Sequence, residues 1–314
     1  MSLTLLVASF AVLVKSSEVC VRNLAALARY LCISEFAISF IVVGIASVLP
    51  ELSVATVAAA EGSAEMAVAV LFGSNIADVT LILGLVAIYA RGLKIESKVR
   101  HGAKTLLMLL ALPVVLLMIG GGLSKFDGII LIAAYVYYLR KIIGRHDGLQ
   151  NAFCNISNNR RDFAKHTIIG VVALTVLFIS AGVASDSAIK IATDVGLPSV
   201  LMGFLIALGT CAPEFTLAVQ AIRKGHSEMG AGDIVGNVAT DATLSLGIVA
   251  LVSPVAPAFG PVALSGAATV ATGALAVHFM QSGRRIALQE GLFLVLAYIA
   301  FIVLEFAIQA KAVV

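Results

Sequence analysis

The sequence predicts an all-α polytopic membrane protein with ten transmembrane helices in two inverted five-helix repeats. Three observations support this fold class: an apolar composition, ten apolar runs of helix length, and an internal repeat. Of the 314 residues, 60% are hydrophobic and only 12% are charged, and the mean hydropathy is +1.05. Soluble domains are about half apolar and about a quarter charged, so this composition indicates a chain whose solvent is lipid.

Ten apolar runs are long enough to be membrane helices, because a bilayer core needs roughly 20 apolar residues per helix. We number these runs spans 1 to 10, and span 5 is the shortest. They lie near residues 3–22, 33–60, 65–90, 102–120, 127–141, 166–190, 198–222, 228–252, 260–281 and 287–310.

The basic residues test this number of spans, because Lys and Arg collect in cytoplasmic connections. Of the 21 Lys and Arg residues, all but Lys125, Lys190 and Lys311 lie in or beside the connections that follow spans 1, 3, 5, 7 and 9. This alternation predicts ten spans with both termini outside. We expect a multi-pass integral protein of the plasma membrane.

The longest polar connection, residues 142–165, divides the chain into a first five-helix repeat, 1–141, and a second, 166–314. We expect this connection to be a cytoplasmic loop that is too short to fold as a regulatory domain. The net charge of +3 is small and dispersed, so a nucleic-acid partner is not expected. The four cysteines form neither a disulfide framework nor a paired metal-ligand motif.

The two halves align with each other when the chain is shifted by 163 residues. The strongest matches fall in residues 40–90 and 203–252, which we take as the repeated motifs. They pair Pro50-Glu51 with Pro213-Glu214, Glu65-Met66 with Glu228-Met229, Gly73 with Gly236, Asp78 with Asp241, and Leu83-Gly84 with Leu246-Gly247. The alternating charges give the two copies opposite orientations in the membrane. Such inverted repeats are typical of secondary transporters, whose binding site lies between the repeats near the midplane.

Each copy places two carboxylates at membrane depth, Glu51 and Asp78 in the first and Glu214 and Asp241 in the second. An ionised acid at the centre of a membrane helix costs about 2.5 to 3.5 kcal/mol on the insertion scale. Four acids in symmetric positions therefore predict a functional site rather than isolated structural acids.

Other oxygen atoms accompany these acids. Pro50 and Pro213 lack an N–H, so they free backbone carbonyls one turn earlier, and we expect a helix break at each. Ser74 precedes Asp78 by one turn, as Asn237 precedes Asp241. Carboxylate, carbonyl, hydroxyl and amide oxygens without imidazole favour a hard cation, and calcium in particular.

These residues resemble the sodium/calcium exchangers of the calcium/cation antiporter superfamily. That family carries a GTSxPE-type motif followed by a GSNxxx(D/N) segment in each repeat. The matching residues here are Glu51, Glu214, Ser74-Asn75, Asp78, Thr210 and Asp241. The resemblance implies a fold of ten helices, alternating access, and Ca²⁺ and Na⁺ as transported ions without an organic cofactor.

The resemblance also implies roles for individual residues. Glu51 and Glu214 would bridge the calcium ion, and Ser47 and Thr210 would contribute oxygens. Backbone carbonyls of Gly44 and Ala207 would line the flanking sodium sites. We further expect the protein to work as a monomer, with cations and the lipid bilayer as its partners.

Four positions depart from the family pattern. Val48 and Cys211 replace hydroxyl residues that help to hold sodium in the exchangers. Asp78 stands where the first repeat usually has Asn, and Asn237 stands where the second has Ser. The additional acid could stay protonated, take part in proton coupling, or bind another monovalent ion. The motifs nevertheless resemble the sodium branch more than the calcium/proton exchangers, which lack the later acids, so sodium is the first choice of counter-ion and H⁺ and K⁺ are alternatives.

Two other classes of function compete with an antiporter. A passive cation channel would more often build its filter by oligomer symmetry. An intramembrane protease would need a recognisable catalytic arrangement, which the sequence lacks, so we do not expect an enzyme. Asp233 is an acid outside the site. Its repeat equivalent is Val70, and it fits either a cytoplasmic entrance or a solvated helix end.

Overall fold

The computed structural model of the chain is predominantly helical. It describes residues 2–30, 35–95, 97–143, 160–196, 199–223, 227–255, 259–283 and 285–312. The helices of the first half are α1 Ser2–Tyr30, α2 Glu35–Ala60, α3 Ala64–Ala77, α4 Leu83–Tyr89, α5 Ser97–Gly120 and α6 Lys125–Ile143. Those of the second half are α7 Arg160–Val195, α8 Ser199–Thr210, α9 Ala212–Arg223, α10 Ser227–Thr240, α11 Leu246–Val252, α12 Phe259–Ser282 and α13 Leu288–Ala312.

Within the described residues, every predicted span lies on helix, and six stretches are long and apolar enough to cross a membrane. They are Leu3–Cys20, Ala64–Tyr89, Gly102–Gly120, Asp162–Val195, Gly232–Val252 and Leu288–Ile308. These six correspond to spans 1, 3, 4, 6, 8 and 10. Crossing by the other four spans stays a prediction.

Two π-helical turns lie at equivalent places in the halves. Asp78–Ile82 joins α3 to α4, and Asp241–Ser245 joins α10 to α11. Each turn begins with an aspartate, and the two aspartates are separated by the offset that relates the repeats. A π turn fits one extra residue into a helix and is frequently found at functional sites.

The proline positions behave differently in the two halves, and the prediction of two helix breaks is wrong for the first. α2 continues through Pro50 without interruption. In the second half α8 ends at Thr210, Cys211 forms a turn, and α9 begins at Ala212. A membrane helix can contain a proline when neighbouring helices or Ser and Thr side chains satisfy the backbone groups that the proline frees.

The offset of 163 residues also relates packing contacts. A Cβ atom built on Gly84 in α4 would lie 2.6 Å from the carbonyl oxygen of Gly291 in α13. A Cβ atom built on Gly247 in α11 would lie 2.9 Å from the carbonyl oxygen of Gly128 in α6. Because Gly247 and Gly291 are the repeat equivalents of Gly84 and Gly128, the same close backbone contact occurs in both halves.

The connections at the helix ends follow the same pattern. Strand β1, Leu93–Lys94, pairs antiparallel with strand β2, Arg285–Ile286. An isolated antiparallel bridge joins Leu123 to Val255. The strand pair and the isolated bridge are equivalent, within one residue, under the offset that relates the repeats. In each half, the end of the third span is therefore hydrogen-bonded to the other half.

The core of the molecule contains the segments that carry the predicted site. Nearly all residues of α3 and of the π turn after it are buried, and α3 packs closely on α8. α1 and α7 pack along each other, and α7 presents Ile168, Val172 and Ile179 on its exposed side. Exposed apolar residues on a long helix are expected where the surroundings are lipid.

We predict that adding a methyl group at either glycine contact destabilises the protein. Gly84→Ala and Gly247→Ala should each lower the free energy of unfolding by about 1 to 3 kcal/mol, because a close-packed backbone must move apart. Gly102→Ala is the control, since no neighbouring element or side chain lies within 4 Å of the position that its methyl group would occupy. Thermal unfolding of the purified proteins in detergent measures this, and equal melting temperatures for Gly84→Ala and Gly102→Ala would contradict the prediction.

Candidate functional site

The four predicted carboxylates are all buried. Glu51 is 1% exposed, Asp78 1%, Glu214 2% and Asp241 1%. α2 and α9 carry the glutamates, and the two π turns carry the aspartates. Both halves of the chain therefore supply one glutamate and one aspartate to the interior.

The four side chains lie in one region. Glu51 interacts electrostatically with Asp78, Glu214 and Asp241, and Asp78 interacts with both acids of the second half. Like charges at short range repel strongly where water is excluded. The structure thus places acids from both repeats within reach of one another, as the repeat predicted.

None of these carboxylates forms an ion pair with a basic side chain among the described residues. The ion pair found in that part of the chain joins Lys15 to Glu18. Both carboxylate oxygens of Glu51, Oδ1 of Asp78 and Oε2 of Glu214 are buried without a hydrogen bond from the described part of the chain. A buried anion without a donor or counter-charge is costly. Cations or protons are therefore needed to neutralise this region.

Hydroxyl groups surround the acids. The Ser74 side chain lies near both Glu51 and Asp241, and Thr210 lies near Glu51, although neither makes a short hydrogen bond to that glutamate. The Thr210 hydroxyl instead donates to the Ala207 carbonyl oxygen at 3.0 Å. A hydroxyl whose hydrogen is donated to the backbone keeps its lone pairs for another ligand, such as a cation.

The helix break in the second half meets α3 of the first half at this point. Ser74 Oγ and Cys211 Sγ are 3.3 Å apart, and both side chains are 1% exposed. Cys211, which replaces a hydroxyl residue of the family, therefore lies among the acids. Val48, which replaces another hydroxyl residue, is also buried. Two positions that would offer oxygen atoms in the exchangers here offer a thiol and a methyl group.

The remaining predicted residues are placed as follows. Asn237 is buried on α10, one turn before Asp241. The Ala207 carbonyl accepts hydrogen bonds from the Cys211 N–H and the Thr210 hydroxyl, so it would have to exchange one of them to bind a cation. Gly44 and Ser47 belong to α2, but their surroundings and the Ser47 side chain lie outside the described residues.

The acids do not form a closed cage. Among the described residues, no group of three His, Cys, Asp or Glu side chains is arranged to hold a metal ion. Calcium takes 6 to 8 oxygen ligands in flexible geometry, from carboxylates, carbonyls and hydroxyls alike. A cation in this region would need the neutral oxygens as well as the carboxylates, or a small movement of the side chains toward it.

Sequence reasoning missed one member of the site. Ser245 is buried, and its hydroxyl donates a 2.8 Å hydrogen bond to Oδ1 of Asp241. It follows Asp241 by one helical turn, so the spacing rule that selected Ser74 could have found it. Its repeat equivalent is Ile82, so a search for polar residues that match in both repeats does not find Ser245.

Comparisons with known proteins agree with this arrangement. The family model described as "Sodium/calcium exchanger protein" matches residues 1–143 and 165–307. The chain is 28% identical to the "Putative antiporter CaxA" of Alkalimonas amylolytica over 94% of this chain and 95% of that protein. It is 25% identical to the "Sodium/calcium exchanger MaX1" of Methanosarcina acetivorans over 94% of this chain and 96% of that protein.

Two solved structures share the fold. The sodium-calcium exchanger NCX_Mj superposes with a TM-score of 0.66 at 22% identity, covering 96% of this chain and 97% of its own. The H⁺/Ca²⁺ exchanger CAX superposes with a TM-score of 0.78 at 17% identity, covering 99% of this chain and 87% of its own. At these identities the likeness concerns the fold alone, which is a helical membrane exchanger fold.

We predict that removing one buried charge stabilises the cation-free protein. Asp78→Asn should raise the free energy of unfolding by about 1 to 3 kcal/mol, because it relieves repulsion and the cost of burying an anion. Asp127→Ala is the control of opposite sign, since it removes the acceptor of the hydrogen bonds of 2.8 and 2.7 Å that the Ser124 N–H and hydroxyl donate to Asp127 at the start of α6. Losing that cap should cost about 1 kcal/mol.

Thermal unfolding in chelator-treated detergent solution tests this pair of variants. A lower melting temperature for Asp78→Asn than for the unaltered protein would contradict the prediction.

Proposed function

The chain belongs to the sodium/calcium exchanger protein family, as its motifs predicted, and we propose that it is a secondary antiporter exchanging Ca²⁺ for Na⁺. The observation that carries this proposal is the group of four buried carboxylates, two from each half, without a basic partner in the described part of the chain. We further propose that it acts as a monomer in the plasma membrane, with ten spans and both termini outside, and that it catalyses no chemical reaction.

The ligand chemistry supports calcium as the divalent substrate. Glu51 and Glu214 interact electrostatically, and both carboxylate oxygens of Glu51 and Oε2 of Glu214 accept no hydrogen bond in the described structure. Calcium is a hard cation that prefers carboxylate and other oxygen ligands, and two carboxylates neutralise its charge. In this proposal Glu51 and Glu214 bind the calcium ion, and Ser47, Ser74 and Thr210 add neutral oxygens.

The remaining charge supports exchange rather than uniport. With calcium between the two glutamates, Asp78 and Asp241 still place two negative charges in a water-poor interior. An empty site would carry four, and moving that charge across the membrane interior is unfavourable. Reorientation therefore needs either calcium or enough monovalent cations on the carboxylates, which couples the two fluxes.

The packing of α1 against α7 supports an assignment of moving and fixed helices in the transport cycle. These two helices pack against each other, outside the core formed by α2–α4 and α8–α11 with their two π turns. In the proposed cycle the α1–α7 pair moves past this core and opens the site to one side of the membrane at a time. The carboxylates themselves stay on the core helices.

Specific residues favour protons as a second candidate counter-ion. Asp78 is an additional carboxylate, while Val48 and Cys211 remove hydroxyl oxygens that would hold sodium. A carboxylate binds a proton with no further ligand, whereas a sodium ion needs several oxygens. Asn237 keeps an amide oxygen one turn before Asp241, which supports at least one sodium position.

We predict that neutralising either central glutamate abolishes calcium transport. Glu51→Gln and Glu214→Gln each remove a charged calcium ligand while preserving the shape of the side chain, so uptake should fall at least about 100-fold. Glu18→Gln is the control, because Glu18 is an exposed residue paired with Lys15. Radiolabelled calcium uptake into proteoliposomes measures the effect, and normal uptake by either site variant would contradict the assignment.

We also predict which gradient drives uptake. With sodium, potassium and pH gradients imposed one at a time across the same proteoliposomes, an outward sodium gradient should drive calcium accumulation. Calcium accumulation driven by the pH gradient alone would identify protons, rather than sodium, as the counter-ion. Calcium entry at equal rates with no opposing gradient would indicate a channel and would contradict the antiporter.

A further inference from the structure

Asp233 is an acid of the second half that the proposed site does not use. It lies on α10 and is half-buried. Its repeat equivalent, Val70, is fully buried on α3. The symmetry that relates the four central carboxylates therefore stops at this residue, and only one half of the molecule has a carboxylate at this position.

Asp233 faces the central site along its helix. Asn237 and Asp241 follow it at intervals of four residues, so the three polar side chains form a row on one face of α10. At a rise of 1.5 Å per residue, Asp233 lies about 12 Å before Asp241 and about 9 Å after the start of the helix. It is thus inside the helix rather than at a solvated end.

The electrostatic interactions of Asp233 connect it to the central acids. Its carboxylate interacts electrostatically with Asp78, whose Oδ1 atom is buried without a hydrogen-bond donor in the described structure. No Lys, Arg or His forms an ion pair with Asp233 among the described residues. Asp233 therefore faces another acid across helices and forms no ion pair with a described base.

The surroundings at the start of α10 are basic. Lys94 and Arg285 face each other in the paired strands β1 and β2, and β1 contacts α10. Arg223 precedes α10 and donates a 2.9 Å hydrogen bond from Nε to the Tyr89 hydroxyl. We call the end of the bundle that carries Lys94, Arg223 and Arg285 the basic end. Basic side chains repel an approaching cation, so an acid just inside them would offset that repulsion.

We propose that Asp233 forms an approach site for the divalent cation, between the basic end and Asp78, that serves one of the two access routes only. This inference rests on the proposed function, because it assumes that the cation passes to the central carboxylates. Asp233 holds a partly hydrated cation next to Asp78, from which the ion moves to Glu51 and Glu214. Val70 offers no equivalent step on the other route.

The test uses two membrane preparations from the same cells, right-side-out and everted vesicles, so that each face of the protein meets external calcium in turn. Asp233→Asn should raise the half-saturating calcium concentration about three- to tenfold in one preparation and leave it unchanged in the other. This range corresponds to a doubly charged ion losing one carboxylate at close range in partly screened surroundings. The difference should shrink at high ionic strength.

Asp233→Glu is the conservative variant and should retain half-saturation near that of the unaltered protein. Asp162→Asn, which removes an acid from the start of α7, controls for a general change in surface charge and should alter neither preparation. An equal shift in both preparations, or no shift in either, would overturn the approach site. Absence of calcium transport by the unaltered protein would instead contradict the proposed function, and the approach site with it.

Discussion

The cost of burying negative charge is the constraint on which the rest of this structure depends. Glu51, Asp78, Glu214 and Asp241 are almost completely buried, repel one another and have no basic partner in the described chain. A soluble protein would lose little by replacing such residues, and a membrane protein would gain stability. Cations or protons must neutralise them, so the instability of the empty site and the cation affinity that we propose for it have the same physical origin.

The scaffold brings these acids together by repeating one arrangement twice. Each half has a π turn that begins with an aspartate, and each uses a glycine contact to bring two backbones close. Because the contacts are equivalent, the same local geometry positions the acids of both halves. The differences between the halves are then informative: the helix break at Cys211, the Ser245 hydrogen bond and Asp233 all occur in the second half alone among the described residues.

Much of this arrangement could be predicted from the sequence, since a carboxylate in an apolar run and a constant offset are visible without coordinates. The helical segments, the family and the burial of the four acids followed from these signals. The π turns could not be predicted, because nothing in the residues around Asp78 or Asp241 distinguishes a π-helical turn from a regular α-helical one. Pro50 predicted a break that α2 does not have, because other groups can satisfy the backbone carbonyl that a proline frees within a membrane helix.

The central claim is that acids from both halves bind one divalent cation, and anomalous diffraction from crystals soaked in strontium, a heavier analogue of calcium, tests it most directly. We expect one dominant strontium peak within about 2.3 to 2.7 Å of carboxylate oxygens of both Glu51 and Glu214. Its absence at saturating strontium, or a peak that contacts the glutamate of one half only, would contradict a shared site.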